Sequence, residues 1–119
     1  ENPDMCGITA EYVFSKPLDP DDPTNRCSEA LAPHAAALRG DAALKAEMLT
    51  LRACFLERKE CLLHGDLHTG SIMVPAAPSE AEDKPAVVID AEFAFYGPAA
   101  FDAGVLLANL LFAAIRHAP

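Results

Sequence analysis

Two short stretches of this chain carry residue types suited to chemistry on a hydroxyl group and a metal ion. They are His64-Gly65-Asp66-Leu67-His68-Thr69-Gly70-Ser71 and Val87-Val88-Ile89-Asp90-Ala91-Glu92. Asp66 follows the apolar run Cys61-Leu62-Leu63 and stands beside Gly65, so its carboxylate should project from a tight turn. A carboxylate placed this way can take the proton of an attacking hydroxyl, or orient that hydroxyl. Asp90 and Glu92 end a second apolar run, and in extended backbone residues two apart point to one side. Magnesium prefers oxygen ligands, commonly one or two carboxylates completed by phosphate oxygens and water. A base from one turn and metal-binding carboxylates from another are what phosphoryl transfer needs.

The spacing sharpens this reading. His64, Asp66 and Ser71 occupy the positions of the H-x-D and the later metal-binding Asn of a protein-kinase catalytic loop, with serine in place of asparagine. Ser71 is therefore a candidate third contact to the metal, through a shorter and neutral oxygen. Asp90 takes the place of the first residue of the D-F-G motif, and Glu92 that of its glycine. Taken singly, each motif has a bland explanation. Asp and Gly are ordinary turn formers, and acidic residues often end a strand in solvent. Their order, each behind an apolar strand, favours chemistry over coincidence. A rival assignment uses His64, Asp66 and His68 as alternating ligands for zinc in a metallohydrolase. Gly65 and Gly70 argue for a turn instead, and His34 and His117 read as surface residues.

The elements that must position these groups are legible from pattern. Residues 1–18 should form a short helix or helix end, with Cys6, Ile8, Tyr12, Val13 and Phe14 as its apolar members, and 19–28 an exposed connection. Residues 28–38 read as weakly helical and interrupted by Pro33. Asp41 is a candidate N-cap for a helix over 42–59, where Leu44, Met48, Leu51 and Phe55 recur at helical spacing. Basic residues near its end should complement the helix dipole. Strands are expected at 61–63, 71–74 and 87–90, the first buried and the last apolar on both faces, with a mobile loop over 75–85. Gly97-Pro98 should turn the chain into a final helix over 101–116. The fold class is α+β, with small strands forming a ribbon between helices.

Bulk properties narrow the partners. The chain has 119 residues, 51% of them hydrophobic, enough for one domain with a core. Nine basic against 18 acidic residues give a net charge of −9, which disfavours nucleic acid and anionic membranes as partners. The same charge requires added cations before a nucleotide polyphosphate can bind. Cys6, Cys27, Cys54 and Cys61 show no C-x-x-C spacing and read as reduced thiols of a cytoplasmic protein. The apolar run 105–115 is too short to span a bilayer. Both ends of the chain look like cuts within a longer protein.

HGDLHTGSIMV followed by VVIDAEFAFYGPAAFDAGVLLANLL resembles the C-terminal lobe of the methylthioribose kinase family. Met5-Cys6-Gly7-Ile8-Thr9-Ala10-Glu11 and the run from Asp41 to Arg58 extend the resemblance over nearly the whole chain. That family shares the protein-kinase-like fold of aminoglycoside phosphotransferases and choline kinases. The resemblance implies that residues 1–119 are part of a mostly helical C-terminal lobe, with short catalytic-loop and metal-loop strands. It further implies ATP-dependent phosphorylation of 5-methylthioribose at its 1-hydroxyl, a step of methionine salvage, with Mg2+. Asp66 would be catalytic; Asp90 and Glu92 would hold the metal, with Ser71 nearby. His64 and Asp102 would support the catalytic loop, Asp102 by accepting backbone N–H bonds, although it could equally be the N-cap of the last helix.

Phe93, Phe95 and Tyr96 should pack under the metal loop, with Tyr96 a weaker candidate for substrate contact. The full-length enzyme could pair as a homodimer. The chain departs from the family at Ala91, where proline is usual. It carries no Gly-rich phosphate loop or strand lysine ahead of His64, and the family's downstream arginine pair would fall beyond Pro119. The segment alone is therefore expected to be inactive. A related small-molecule kinase acting on choline, homoserine or an aminoglycoside, and a non-catalytic kinase-like binding module, are the alternatives.

Overall fold

Asn2 starts the first helix by lending its side-chain oxygen to the N–H of Met5, with Pro3 supplying a preset φ in the first turn. The computed structural model describes residues 2–76 and 84–118. Helix α1 (Pro3–Ala10) runs straight into a π-helical turn over Glu11–Ser15 and a 3-10 turn over Lys16–Leu18. Pro33 does not interrupt a helix, as the sequence suggested. It sits in the first turn of α2 (Ala32–Gly40), where its missing N–H would have had no helical partner anyway. Asp41 caps α3 (Ala42–Glu57): its Oδ1 accepts from Ala43 N and Leu44 N at 2.9 and 3.0 Å. Arg58 and Lys59 fall just outside the helix, so α3 ends without a basic residue in its last turn.

The strands are shorter and differently paired than a single ribbon. Strand β1 (Cys61–Leu63) pairs antiparallel with β4 (Phe95–Gly97), Leu63 opposite Phe95. Strand β2 (Ile72–Met73) pairs antiparallel with β3 (Val87–Val88). Strand β3 stops before Asp90, which adopts φ 69°, a left-handed conformation that Asp tolerates better than most residues. Asp90 is therefore not extended and Glu92 begins a turn, so strand alternation does not set the direction of their side chains. Strand β1 is buried only in part, with Leu63 in the core, and the two apolar faces of β3 are left uncovered. Leu62 is exposed, as are Val87 and Val88. Most of the loop expected to be mobile, residues 77–83, lies outside the described residues.

Helix α4 (Ala100–Arg116) closes the chain. The core is small: Cys6, Ala10, Phe55, Leu63 and Phe95, with Phe14 and Phe101 packed against it. Phe55 is its hub, with ring centroids 5.3 Å from Phe14, 5.6 Å from Phe95 and 4.9 Å from Phe101. These contacts hold α3, the π-helical turn, β4 and α4 together, and so fix the turns that leave β1 and enter β4. The apolar residues Leu107, Leu110, Leu111, Phe112 and Ile115 of α4 are exposed. Total accessible surface is 8543 Å², against about 6,200 Å² for a compact monomer of this mass. No helix among the described residues is long and apolar enough to cross a membrane.

Candidate active site

Gly65 opens the turn after β1 with φ +88°. A Cβ at this position would lie 2.7 Å from the carbonyl oxygen of Phe93 and 3.0 Å from the Phe95 ring. Two requirements thus meet at Gly65: left-handed backbone, and close approach of the 64–66 turn to the 91–94 loop. Asp102, in the first turn of α4, locks this turn from below. Its Oδ2 accepts from His64 N at 2.6 Å and its Oδ1 from Gly65 N at 3.1 Å. Ala99, not Asp102, is the N-cap of α4; it has no capping side chain of its own, and its N–H donates to Glu60 Oε2 at 3.0 Å.

His64 ties the two turns together. Its Nδ1 accepts from Asp66 N at 3.3 Å and its Nε2 lies 2.8 Å from the carbonyl oxygen of Ile89. Those bonds are mutually consistent for a neutral ring carrying its proton on Nε2 and donating it to Ile89. Ser71 makes a second tie. It is buried; its hydroxyl donates to the Asp66 carbonyl at 3.1 Å, and its own carbonyl accepts from Ile89 N at 3.0 Å. The serine expected beside a metal ion thus has its hydroxyl committed to the frame between the two loops. Farther along, Asn2 Nδ2 donates to Ala94 O at 3.5 Å, linking the start of α1 to the same loop. Nothing in the sequence announced the Asn2–Ala94 contact. For Ser71, the five-residue spacing from Asp66 marked the position but not its bridging of the two loops.

The three candidate carboxylates sit on top of this frame, all in exposed residues. Asp66 lines a cleft of about 560 Å³ between α1, its π-helical extension and α4, among Met5, Ile8, Tyr12, Phe93 and Val105. Asp90 and Glu92 stand outside this lining. Tyr96 faces a different, smaller cavity with Cys6 and Lys59, so it does not share the Asp66 cleft. Phe95 is buried beneath the turns, and Phe93 is half-buried.

Among the described residues, no group of three or more His, Cys, Asp or Glu side chains is arranged to hold a metal ion. That removes the zinc trio His64, Asp66 and His68. Both ring nitrogens of His64 are engaged, and His68 Nδ1 accepts from Gly70 N at 3.0 Å while its Nε2 lies 3.7 Å from Asp66 Oδ2. It also means that Asp66 does not join Asp90 and Glu92 in one closed cage. An Asp90/Glu92 pair still suits magnesium, which needs only one or two carboxylates when phosphate and water complete its shell. Both are exposed, and no hydrogen bond or ion pair among the described residues occupies either carboxylate.

Residues 10–118 match the family described as "Phosphotransferase enzyme family". The chain is also similar to curated proteins. It is 49% identical over 114 residues to "Methylthioribose kinase 1" of Oryza sativa subsp. japonica, covering 95% of this chain and 25% of that protein. It is 46% identical over 116 residues to "Methylthioribose kinase" of Bacillus pumilus, covering 98% and 27%. With the Yersinia enterocolitica protein of the same name it shares 46% identity over 110 residues, covering 92% and 26%. The chain thus spans about a quarter of the length of the curated relatives it matches.

Proposed function

Since the chain belongs to the phosphotransferase enzyme family, we infer that it is part of the larger, C-terminal lobe of a kinase-like enzyme. That enzyme moves the γ-phosphate of ATP to the 1-hydroxyl of 5-methylthioribose. The observation that carries the reading is the double acceptance by Asp102 from His64 N and Gly65 N. It holds the turn so that the Asp66 carboxylate faces a cleft large enough for a pentose and is left unburdened by the frame below it. The substrate is supported by the names of relatives at 44–49% identity.

In this reading Asp66 orients the sugar hydroxyl and accepts its proton as the oxygen attacks phosphorus. His64 and Ser71 maintain the distance between Asp66 and the 89–92 loop, so the hydroxyl and the phosphate arrive in register. Asp90 and Glu92 hold magnesium, which supplies neutralisation of the phosphate charge. Phe93, Ile8 and Tyr12 wall the cleft and limit water around the reacting oxygen. The chain alone does not turn over, because phosphoryl transfer depends on positioning and on charge neutralisation that an acidic segment of net charge −9 does not provide.

The test is a chimera in which this chain replaces the matched segment of one of the methylthioribose kinases above. The chimera should release ADP in the presence of 5-methylthioribose, while the isolated chain releases none. Asp66→Asn in the chimera should lower kcat by roughly 10²–10⁴ with nucleotide binding retained. Asp90→Ala should instead weaken binding of the magnesium nucleotide. A chimera that binds nucleotide yet phosphorylates choline, homoserine or an aminoglycoside in preference to methylthioribose would overturn the substrate. Unchanged kcat in Asp66→Asn would remove the assigned base.

A further inference from the structure

Lys59 Nζ donates to Cys6 Sγ at 3.1 Å, across 53 residues of sequence. Cys6 is 5% exposed and belongs to the core cluster; Lys59 is exposed, in the link between α3 and β1. Both line a cavity of about 250 Å³ with Asn2, Gly7, Phe95 and Tyr96. Among the described ion pairs the Lys59 ammonium meets no carboxylate, in a chain with twice as many acidic as basic residues. Its amine is thus aimed at sulfur in a space that a small oxidant can enter. Cys6 and Lys59 have no part in the phosphoryl-transfer chemistry.

We propose that Cys6 and Lys59 form an oxidation-dependent covalent latch, closed by a peroxide and opened by thiols. Hydrogen peroxide first oxidises the Cys6 thiol to a sulfenic acid, and the peroxide O–O bond breaks with release of one water. The Lys59 ammonium gives one proton to water, and the neutral amine then attacks sulfur: an S–N bond forms, the S–O bond breaks, and the hydroxyl leaves with an amine proton as a second water. The sum is Cys–SH plus Lys–NH2 plus H2O2, giving Cys–S–NH–Lys plus two H2O, with sulfur oxidised and peroxide oxygen reduced. Sulfenic acids condense with backbone nitrogen in the same manner. Holding the amine at hydrogen-bond distance gives it an advantage over dissolved nucleophiles, and the four-carbon stem of lysine closes the remaining gap. A thiol reverses the link by attacking sulfur and releasing the amine.

The latch would bear on the cleft. Cys6 lies in α1, whose Met5, Ile8 and Thr9 wall the space before Asp66, and Lys59 stands two residues before β1, which feeds the Asp66 turn. A covalent link therefore fastens one wall of the cleft to the segment that leads through β1 into the Asp66 turn.

The chain as it stands can be tested by hydrogen peroxide treatment, peptide mapping by mass spectrometry, and a parallel sample reduced with dithiothreitol. A Cys6–Lys59 linked peptide pair, lighter by two hydrogens than its parts and lost on reduction, is the expected product. Exposed Cys27 is the internal control and should form no lysine link. Lys59→Met should abolish the pair and leave Cys6 to proceed to sulfinic acid. Lys59→Arg should do the same, since it keeps a cation beside sulfur without a condensing amine. Concentrated urea should suppress the link by dispersing the two groups. Recovery of wild-type Cys6 as sulfinic acid or as a disulfide with another cysteine would overturn the proposal. So would linkage of Cys6 to some other lysine at equal yield in Lys59→Met.

Discussion

Removing the Asp102 carboxylate tests whether the turn that presents Asp66 is held from α4. Asp102→Ala leaves the N–H groups of His64 and Gly65, bonded at 2.6 and 3.1 Å, without acceptors. A hydrogen bond to a charged group contributes roughly 1.5–3 kcal/mol. Two of them would amount to about 3–6 kcal/mol if both were fully shielded. They are only partly buried, and water entering the truncated site replaces some of the loss, so about 2–4 kcal/mol is the expected local effect.

Since each 1.4 kcal/mol is tenfold, the amides of His64 and Gly65 should exchange with solvent deuterium on the order of 30- to 900-fold faster. Amide exchange followed by NMR reads this residue by residue. Losing an acidic residue from the first turn of α4 also costs the helix a few tenths of a kcal/mol, spread over α4 rather than confined to the turn. Asp102→Asn separates the two contributions. It retains one carbonyl acceptor and should show an intermediate acceleration, with the larger change at whichever amide faces the new NH2. Should Asp102→Ala prove too unstable to hold its helical signal, the asparagine variant carries the test. Exchange at His64 and Gly65 within about threefold of the parent in a folded variant would show that the turn stands without Asp102.

Gly65→Ala should destabilise the chain by more than about 2 kcal/mol, because left-handed backbone penalises a side chain and the clash at 2.7 Å is with the Phe93 backbone. Gly104→Ala meets nothing within 4 Å inside α4 and should stabilise by about 0.5–1 kcal/mol; urea midpoints that place the two variants together would refute the distinction. In the exposed 19–28 connection, the Thr24 hydroxyl and then its N–H hold the Asp22 carboxyl below its ordinary pKa, with Lys16 adding to the effect. A depressed carboxylate contributes stability above its unfolded pKa, and that contribution disappears as pH falls through the lower folded value. Thr24→Ala should move Asp22 back up toward the ordinary carboxylate range in an NMR titration, and an unmoved titration curve would discard the hydroxyl as its main cause.

What the sequence revealed and what it concealed divide along a physical line. Asp41, the extent of α3 to within two residues, and α4 were legible because caps and helical spacing are local. Strand β4 was not. Phe95-Tyr96-Gly97 is three residues long and exists by pairing with Cys61-Leu62-Leu63, a contact across more than thirty residues that no local pattern encodes. The buried face of α3 was overstated for a related reason. Periodicity put Leu51 on one stripe with Phe55, yet Phe55 alone is buried, because spacing says which residues share a face and not what covers it. The candidate site residues were nameable from motif and order, but their geometry was not. Asp90 leaves the strand in left-handed backbone, a choice of one residue that overrides the alternation assumed for 90–92.

The division of labour in the site follows from its charge. Asp66, Asp90 and Glu92 bring three negative charges to adjoining loops of a chain whose net charge is −9, and the described ion pairs supply none of them with lysine or arginine. Among the described ion pairs His68 is the one basic group that approaches, 3.7 Å from Asp66. Loops held together by direct Arg–carboxylate pairs would be more stable as folded objects, but their oxygens would already be satisfied. Here the adhesion comes from groups that do not use those oxygens: the Asp102 carboxylate on two backbone donors, the His64 ring between Asp66 N and Ile89 O, and Ser71 between Asp66 O and Ile89 N. In the function proposed above, the three carboxylates keep their lone pairs for an incoming hydroxyl and an incoming cation. Mutual repulsion between them is then relieved by binding rather than by folding, so a cation should rigidify these loops more than it raises the stability of the phenylalanine core.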